Sequence, residues 1–187
     1  MRELSLHILD LVQNSLEAGA GEISLTIQED PSNDLFFLSV SDDGRGMSRQ
    51  ELECVRNPFV TSRYTRKIGL GLSLIEMSTS RAGGALEIES KPGAGTTVTA
   101  IYQYYHLDRP PLGKIKDTIL NILVANPSLR FYYQHRVKER SFSLSSQEIY
   151  EILGGISLTQ PDVLQWLTRY LEEQYERLYG GVGHEDA

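Results

Sequence analysis

The sequence predicts a two-layer α/β sandwich, a sheet covered by helices on one face, followed by a small, mainly helical α+β extension. Three observations lead there. Apolar residues recur at helical spacing over residues 3–18, they alternate with polar residues in short runs further on, and the order of these patterns through residue 104 is α-β-β-α-α-β-β. A net charge of −7 disfavours a broad nucleic-acid-binding face, and no apolar run approaches the length a membrane helix needs, so neither nucleic acid nor membrane is an expected partner. The single cysteine, Cys54, excludes an internal disulfide framework, and the polar, charged opening does not resemble a signal peptide, so a cytoplasmic protein is expected.

Each element has its own signal. In the first helix Leu4, Ile8, Leu11 and Ser15 form the apolar stripe, with Gly19 and Gly21 as stops. A second stripe of Glu3, His7, Asp10, Asn14 and Glu17 places an imidazole, carboxylates and an amide on one polar face. Ile23, Leu25 and Ile27 mark a strand, then Phe36, Leu38 and Val40 mark another, joined by the turn EDPSND. A short helix over residues 49–55 precedes the irregular stretch NPFVTSRYTRKIG, and a helix over residues 70–82 ends at Gly83 and Gly84. Strands over residues 85–90 and 96–104 flank the turn KPGAG.

Pro110 and Pro111 mark a boundary, giving a domain at 1–105, a linker at 106–112, an α+β region at 113–180 for a partner or for dimerisation, and a disordered tail at 181–187. Beyond the linker a helix over residues 114–124, strands near 129–137 and 141–144, and two helices are expected. Ser145 with Glu148 has capping-box spacing, and Thr159 with Pro161 opens the last helix. That helix carries Leu164, Leu167, Leu171, Gln174 and Leu178 on one stripe, compatible with a homodimer seam or with a return onto the sheet. The tyrosines of this region, among them Tyr132, Tyr133, Tyr150, Tyr170, Tyr175 and Tyr179, are expected mostly to pack rather than to build a binding surface.

The residues that carry chemistry start with Asp42. It lies in step with Phe36, Leu38 and Val40 and so points to the buried side, where a carboxylate needs a donor. The glycines of the following DGRGM let the backbone approach a flat ligand, and an adenine amino group is a fitting donor; a turn-capping aspartate is the alternative. The stretch GLGLSL, residues 69–74, exposes backbone N–H groups at a helix N-terminus, a place suited to phosphate. Asn14 can give Mg2+ an amide oxygen, and Asp10, one turn earlier, can orient or deprotonate an attacking water or hydroxyl. No histidine pair or cysteine cluster suggests a transition-metal site.

In their joint order these segments resemble the GHKL superfamily of gyrase-type ATPases, heat-shock chaperones, histidine kinases and MutL proteins, over roughly residues 1–104. DLVQNSLEAGA resembles the N box, DDGRGM and GLGLSL the two glycine boxes, NPFVTSR the phenylalanine-containing box of histidine kinases, and GAGTT the last turn of the same pocket. The resemblance implies a Bergerat-type fold binding ATP and Mg2+. The residues it places around the nucleotide are Asn14, Asp42, Gly44, Gly46, Met47, Phe59, Thr61, Ser62, Arg63, Gly69, Leu70, Gly71, Leu72 and Thr96. Asn14 would bind Mg2+, Asp42 would receive the adenine amino group, and Thr96 would support Asp42 through its hydroxyl or a water. Residues 57–68 would form a lid from which Arg63 and Lys67 reach phosphate.

Departures from the family matter as well. Lys67 stands where histidine kinases usually have another glycine, Asp10 where the hydrolytic branches usually have glutamate, and the longer lid of MutL-like proteins is absent.

Few residues precede the first helix, so an upstream phosphoacceptor hairpin is not expected. Three uses of ATP remain: phosphorylation of an unidentified partner protein, hydrolysis coupled to a conformational change, or nucleotide sensing by a non-catalytic adaptor. His106 opens a stretch like a kinase acceptor box, HLDRPPL, but on the far side of the ATPase, so a linker histidine is the preferred reading. His7 is expected to face the pocket, His135 to sit in a strand and His184 in the tail.

Overall fold

The computed structural model describes residues 3–56 and 71–180. Helix α1 (Leu4–Glu17) leads into strand β1 (Glu22–Asp30), a single 3-10 turn at Pro31–Asn33, and β2 (Leu35–Asp42). Helices α2 (Arg49–Arg56) and α3 (Gly71–Arg81) precede β3 (Ala85–Ser90) and β4 (Thr96–Gln103). After these come α4 (Ile115–Ala125), β5 (Arg130–Val137), β6 (Arg140–Ser145), α5 (Ser146–Leu153) and α6 (Pro161–Tyr179). The α/β expectation holds, with the predicted order preserved.

One six-stranded sheet runs through the molecule in the order β3-β4-β2-β1-β5-β6. Alternation puts every second side chain on the same face, and the register aligns those faces from strand to strand. Leu25 pairs with Val40 and with Tyr133, and Val40 with Val98, so their side chains form one buried row. Such rows, with the apolar stripes of the helices, make the core. The opposite face is polar; there Ser39 meets Thr99 at 3.2 Å and Ser41 meets Thr97 at 2.8 Å. One covered and one solvated face account for the alternation in the sequence.

The region beyond Pro111 does not stand apart. Strand β5 pairs in parallel with β1, from Glu22 opposite Arg130 to Glu29 opposite Val137, so the C-terminal strands extend the first sheet. Sequence periodicity could not reveal this, because alternation identifies a strand but not its neighbour. Helix α6 lies back against β5, β6 and α4, burying Val163, Leu167, Leu171, Tyr175 and Leu178. Segment 106–112 is seated as well: the Pro111 and Leu112 carbonyls accept the Leu4 and Ser5 amides at 2.9 and 3.0 Å, capping α1.

Pro161 opens α6 as expected, but neither expected side-chain cap forms. Ser145 occupies the N-cap position of α5 without a side-chain cap bond, and Gln160 rather than Thr159 is the N-cap of α6, likewise without one. The neighbouring Ser146 instead ties α5 to β5, accepting from the Phe131 amide and donating to the Leu129 carbonyl, each at 2.9 Å.

Candidate functional site

The cavity forms where α1 crosses the ends of β2 and β4. Its volume is about 500 Å³, and its walls include Leu11, Asn14, Ser15, Val40, Asp42, Gly46, Met47, Leu72, Thr96 and Val98. Leu11, Val40, Leu72 and Val98 offer apolar surface, while Asn14 and Asp42 offer polar groups, the mixture that a ligand with a flat apolar body and polar edges requires.

Asp42 keeps the parity read from the sequence. It ends β2 opposite Thr96 on one side and Ile23 on the other, on the helix-covered face. Its carboxylate is held by donors from the protein itself. Ser15 Oγ donates to Oδ2 at 2.7 Å, while the amides of Gly44 and Thr96 donate to Oδ1 at 2.9 and 3.2 Å. A carboxylate accepts up to about four hydrogen bonds, so room is left for one more donor from the cavity.

Thr96 supports Asp42 differently from the expectation. Its backbone N–H does so, because the hydroxyl turns to Ser90 Oγ at 2.9 Å. Ser90 also receives the Met47 amide at 2.8 Å and donates to the Gly95 carbonyl at 3.0 Å, fixing the loop after β2 against the β3–β4 turn.

That close fit explains two glycines. Gly46 has φ +64°, and a Cβ there would come within 1.9 Å of the Lys91 carbonyl oxygen; at Gly95, φ +82°, a Cβ would lie 1.8 Å from the Asp42 carbonyl oxygen. Their requirement is backbone against backbone. Asp43 braces the same corner, accepting from the Gly21 and Glu22 amides at 2.7 and 2.8 Å. Those bonds, the Glu22 amide foremost, keep its carboxyl below the ordinary value.

Asn14, Asp42, Gly46, Met47, Leu72 and Thr96 therefore meet on one cavity. Gly44 stands behind it, against Ala18 and Asp42, where a Cβ would be 3.0 Å from each. Asp10 lies beside the cavity lining, with the start of α3 against it: a Cβ on Gly71 would be 3.0 Å from the Asp10 Cβ. Phe59, Thr61, Ser62, Arg63, Gly69 and Leu70, with Lys67 and the rest of the expected lid, lie outside the described residues, as do His184 and the tail.

His7 is buried and is not on the cavity lining, which corrects the expectation that it faces the pocket. It falls on the α1 surface that packs inward. His106 accepts the Asp108 amide on Nδ1 at 3.1 Å, a contact within the linker.

Sequence reasoning missed Ser15, counted there among the apolar stripe, and Arg45 and Glu51, which also line the cavity. A signal for Ser15 existed: a hydroxyl on a buried stripe needs an acceptor, and the Leu11 carbonyl at 3.2 Å is a poorer one than Asp42 at 2.7 Å. Among the described residues no helix is long and apolar enough to cross a membrane, and no cluster of His, Cys, Asp and Glu could hold a metal ion.

The "Non-motile and phage-resistance protein" of Caulobacter vibrioides is 32% identical over 111 residues, 54% of this chain but 13% of that protein. The "Histidine protein kinase DivJ" of the same organism is 33% identical over 102 residues, 52% of this chain and 17% of the kinase. Both relatives are thus much longer than the part they share. The solved N-terminal domain of a DNA repair protein aligns with 78% of this chain and 53% of its own at a TM-score of 0.52 and 19% identity, a likeness of fold. Residues 2–105 match the family described as "Histidine kinase-, DNA gyrase B-, and HSP90-like ATPase", and the chain belongs to that family.

Proposed function

We propose that the chain binds Mg-ATP in this cavity and either hydrolyses it or passes its terminal phosphate to a partner protein, in a cytoplasmic signalling or regulatory role. The observation that carries the reading is the meeting of Asp42 and Asn14 on one partly apolar cavity. Adenine would lie between Leu11, Val40 and Val98, its amino group donating to the Asp42 carboxylate. Apolar walls favour the ring, and the carboxylate, held by three donors with room for a fourth, gives the amino group a fixed acceptor.

The site suits magnesium through Asn14. An amide oxygen is a hard, neutral donor of the kind Mg2+ accepts beside phosphate oxygens and water. Bound there, the ion would offset phosphate charge. Asp10, one helical turn from Asn14, is the group to orient or deprotonate a water or an acceptor hydroxyl. The family membership and the kinase among the relatives support this reading.

A second reading has its own observation. Asp10 adjoins the cavity rather than lining it, and it is one methylene shorter than the glutamate usual in hydrolytic members, so ATP could order the protein without being turned over. The chain would then be a nucleotide-sensing adaptor. A phosphate-release assay separates the two: steady turnover lost in Asp10→Asn supports hydrolysis, binding without turnover supports the adaptor, and transfer of labelled phosphate to a protein establishes a kinase.

A further inference from the structure

Away from the cavity, the covered face of the sheet carries a second polar cluster. Glu29, near the end of β1, is 3% exposed, and His135, on β5, is fully buried. His135 Nε2 lies 3.0 Å from Glu29 Oε1, and the Tyr179 hydroxyl of α6 donates to the same oxygen. On the other side of the ring, Nδ1 is 3.1 Å from the Tyr133 hydroxyl, which is 2.6 Å from the Tyr175 hydroxyl. The Tyr175 hydroxyl is itself 3.2 Å from Nδ1, so the two hydroxyls can satisfy each other and the ring in either order, while Nε2–H faces Glu29. Burial pushes the Tyr133 hydroxyl well up, so it stays a donor. Tyr104, following β4, faces Glu29 as well and carries the Arg109 guanidinium over its ring at 4.9 Å.

This cluster is one fastening of a closed ring of elements. It binds α6 to β1 and β5; α6 packs on α4, and α4 on α1. The chain entering α4 caps α1 through the Pro111 and Leu112 carbonyls. The same α1 carries Asn14 and Ser15 into the cavity, about 15 Å from Leu4 at ~1.5 Å of rise per residue. A helix moves as a rod, so a shift at its capped end is felt at Asn14. Seating of α6 is also close to all-or-none, because a half-satisfied buried carboxylate is costlier than a complete network or a solvated one.

We propose that docking of α6 on the Glu29 cluster regulates the nucleotide cavity: seated, α6 holds α1 where Asn14 and Asp42 line one cavity; released, it lets the cavity loosen. This rests on the ATP reading above. Coupling of this kind is reciprocal, so ATP must also hold α6 down.

The test uses the intact chain. Mg-ATP affinity is measured by calorimetry for the unmodified protein and for Tyr179→Phe, which removes one donor and keeps the ring. Hydrogen exchange in the last two turns of α6 is followed in the unmodified protein with and without Mg-ATP. The expected results are an affinity lower by about fivefold or more in the variant, and local exchange in α6 slowed by ATP to a similar extent. Unchanged affinity in a folded variant overturns the proposal; so does unchanged exchange in α6 when ATP binds, a readout that needs no variant. If the unmodified protein fails to bind ATP, the nucleotide reading falls, and this inference with it.

Discussion

The Ser15 hydroxyl donates to Asp42 Oδ2 at 2.7 Å, joining α1 to the end of β2 across 27 positions of sequence. With the Gly44 and Thr96 amides on Oδ1, it holds the carboxylate that would face the base. Removing it leaves Oδ2 to be satisfied by water or by the ligand alone. For Ser15→Ala we expect ATP affinity to fall about tenfold, the value of one hydrogen bond to a charged group, with the fold retained. Calorimetric titration checks it.

The glycine at position 46 is set by the chain's own backbone. Gly46→Ala forces a Cβ to within 1.9 Å of the Lys91 carbonyl oxygen, whereas Gly93, also at positive φ (+74°), has nothing within 4 Å of its Cβ position. We expect Gly46→Ala to cost about 2 kcal/mol or more and Gly93→Ala only the cost of its left-handed φ, about 1 kcal/mol. Chemical denaturation of both variants reads the difference, which isolates the close approach.

Asp10 is tested by separating binding from turnover. If it activates the attacking group, Asp10→Asn lowers turnover by about 100-fold or more and leaves the ATP dissociation constant within about twofold. Equal losses in both would make Asp10 a binding residue.

Glu29 predicts an acid sensitivity. Burial opposes its ionisation, yet hydrogen bonds from His135 and Tyr179 outweigh burial and hold its carboxyl below its ordinary value of 4.5. A carboxyl depressed in the folded state contributes stability above the unfolded pKa and loses it as pH falls through the folded value. The protein should therefore lose stability as pH drops below 4.5, and Glu29→Gln, less stable at neutral pH, should show a shallower loss over that window. Denaturation midpoints measured across that range check the slope.

Local elements and part of the cavity wall are legible because each rests on a short-range rule. Parity along β2 placed Asp42 on the covered face, helical spacing put Asn14 on the same side of α1 as Asp10, and glycine at position 46 marked a tight backbone. What could not be read depends on distance in sequence. The parallel pairing of β1 with β5 and the Glu29–His135 contact, 106 positions apart, leave no periodic trace. Ser15 sits within an apolar stripe because a hydroxyl is as small as a methyl, and its partner lies in another element. The seating of α6 has no local signal, because an apolar stripe looks alike whether it covers a sheet or a second copy.

In the proposed function the Asp42 carboxylate receives the amino group of adenine. Calorimetric titration of Mg-ATP into the protein and into Asp42→Asn tests it, with circular dichroism to show that the variant is folded. Binding by the unmodified protein that disappears in the folded variant is the predicted result; the same affinity in both would contradict it.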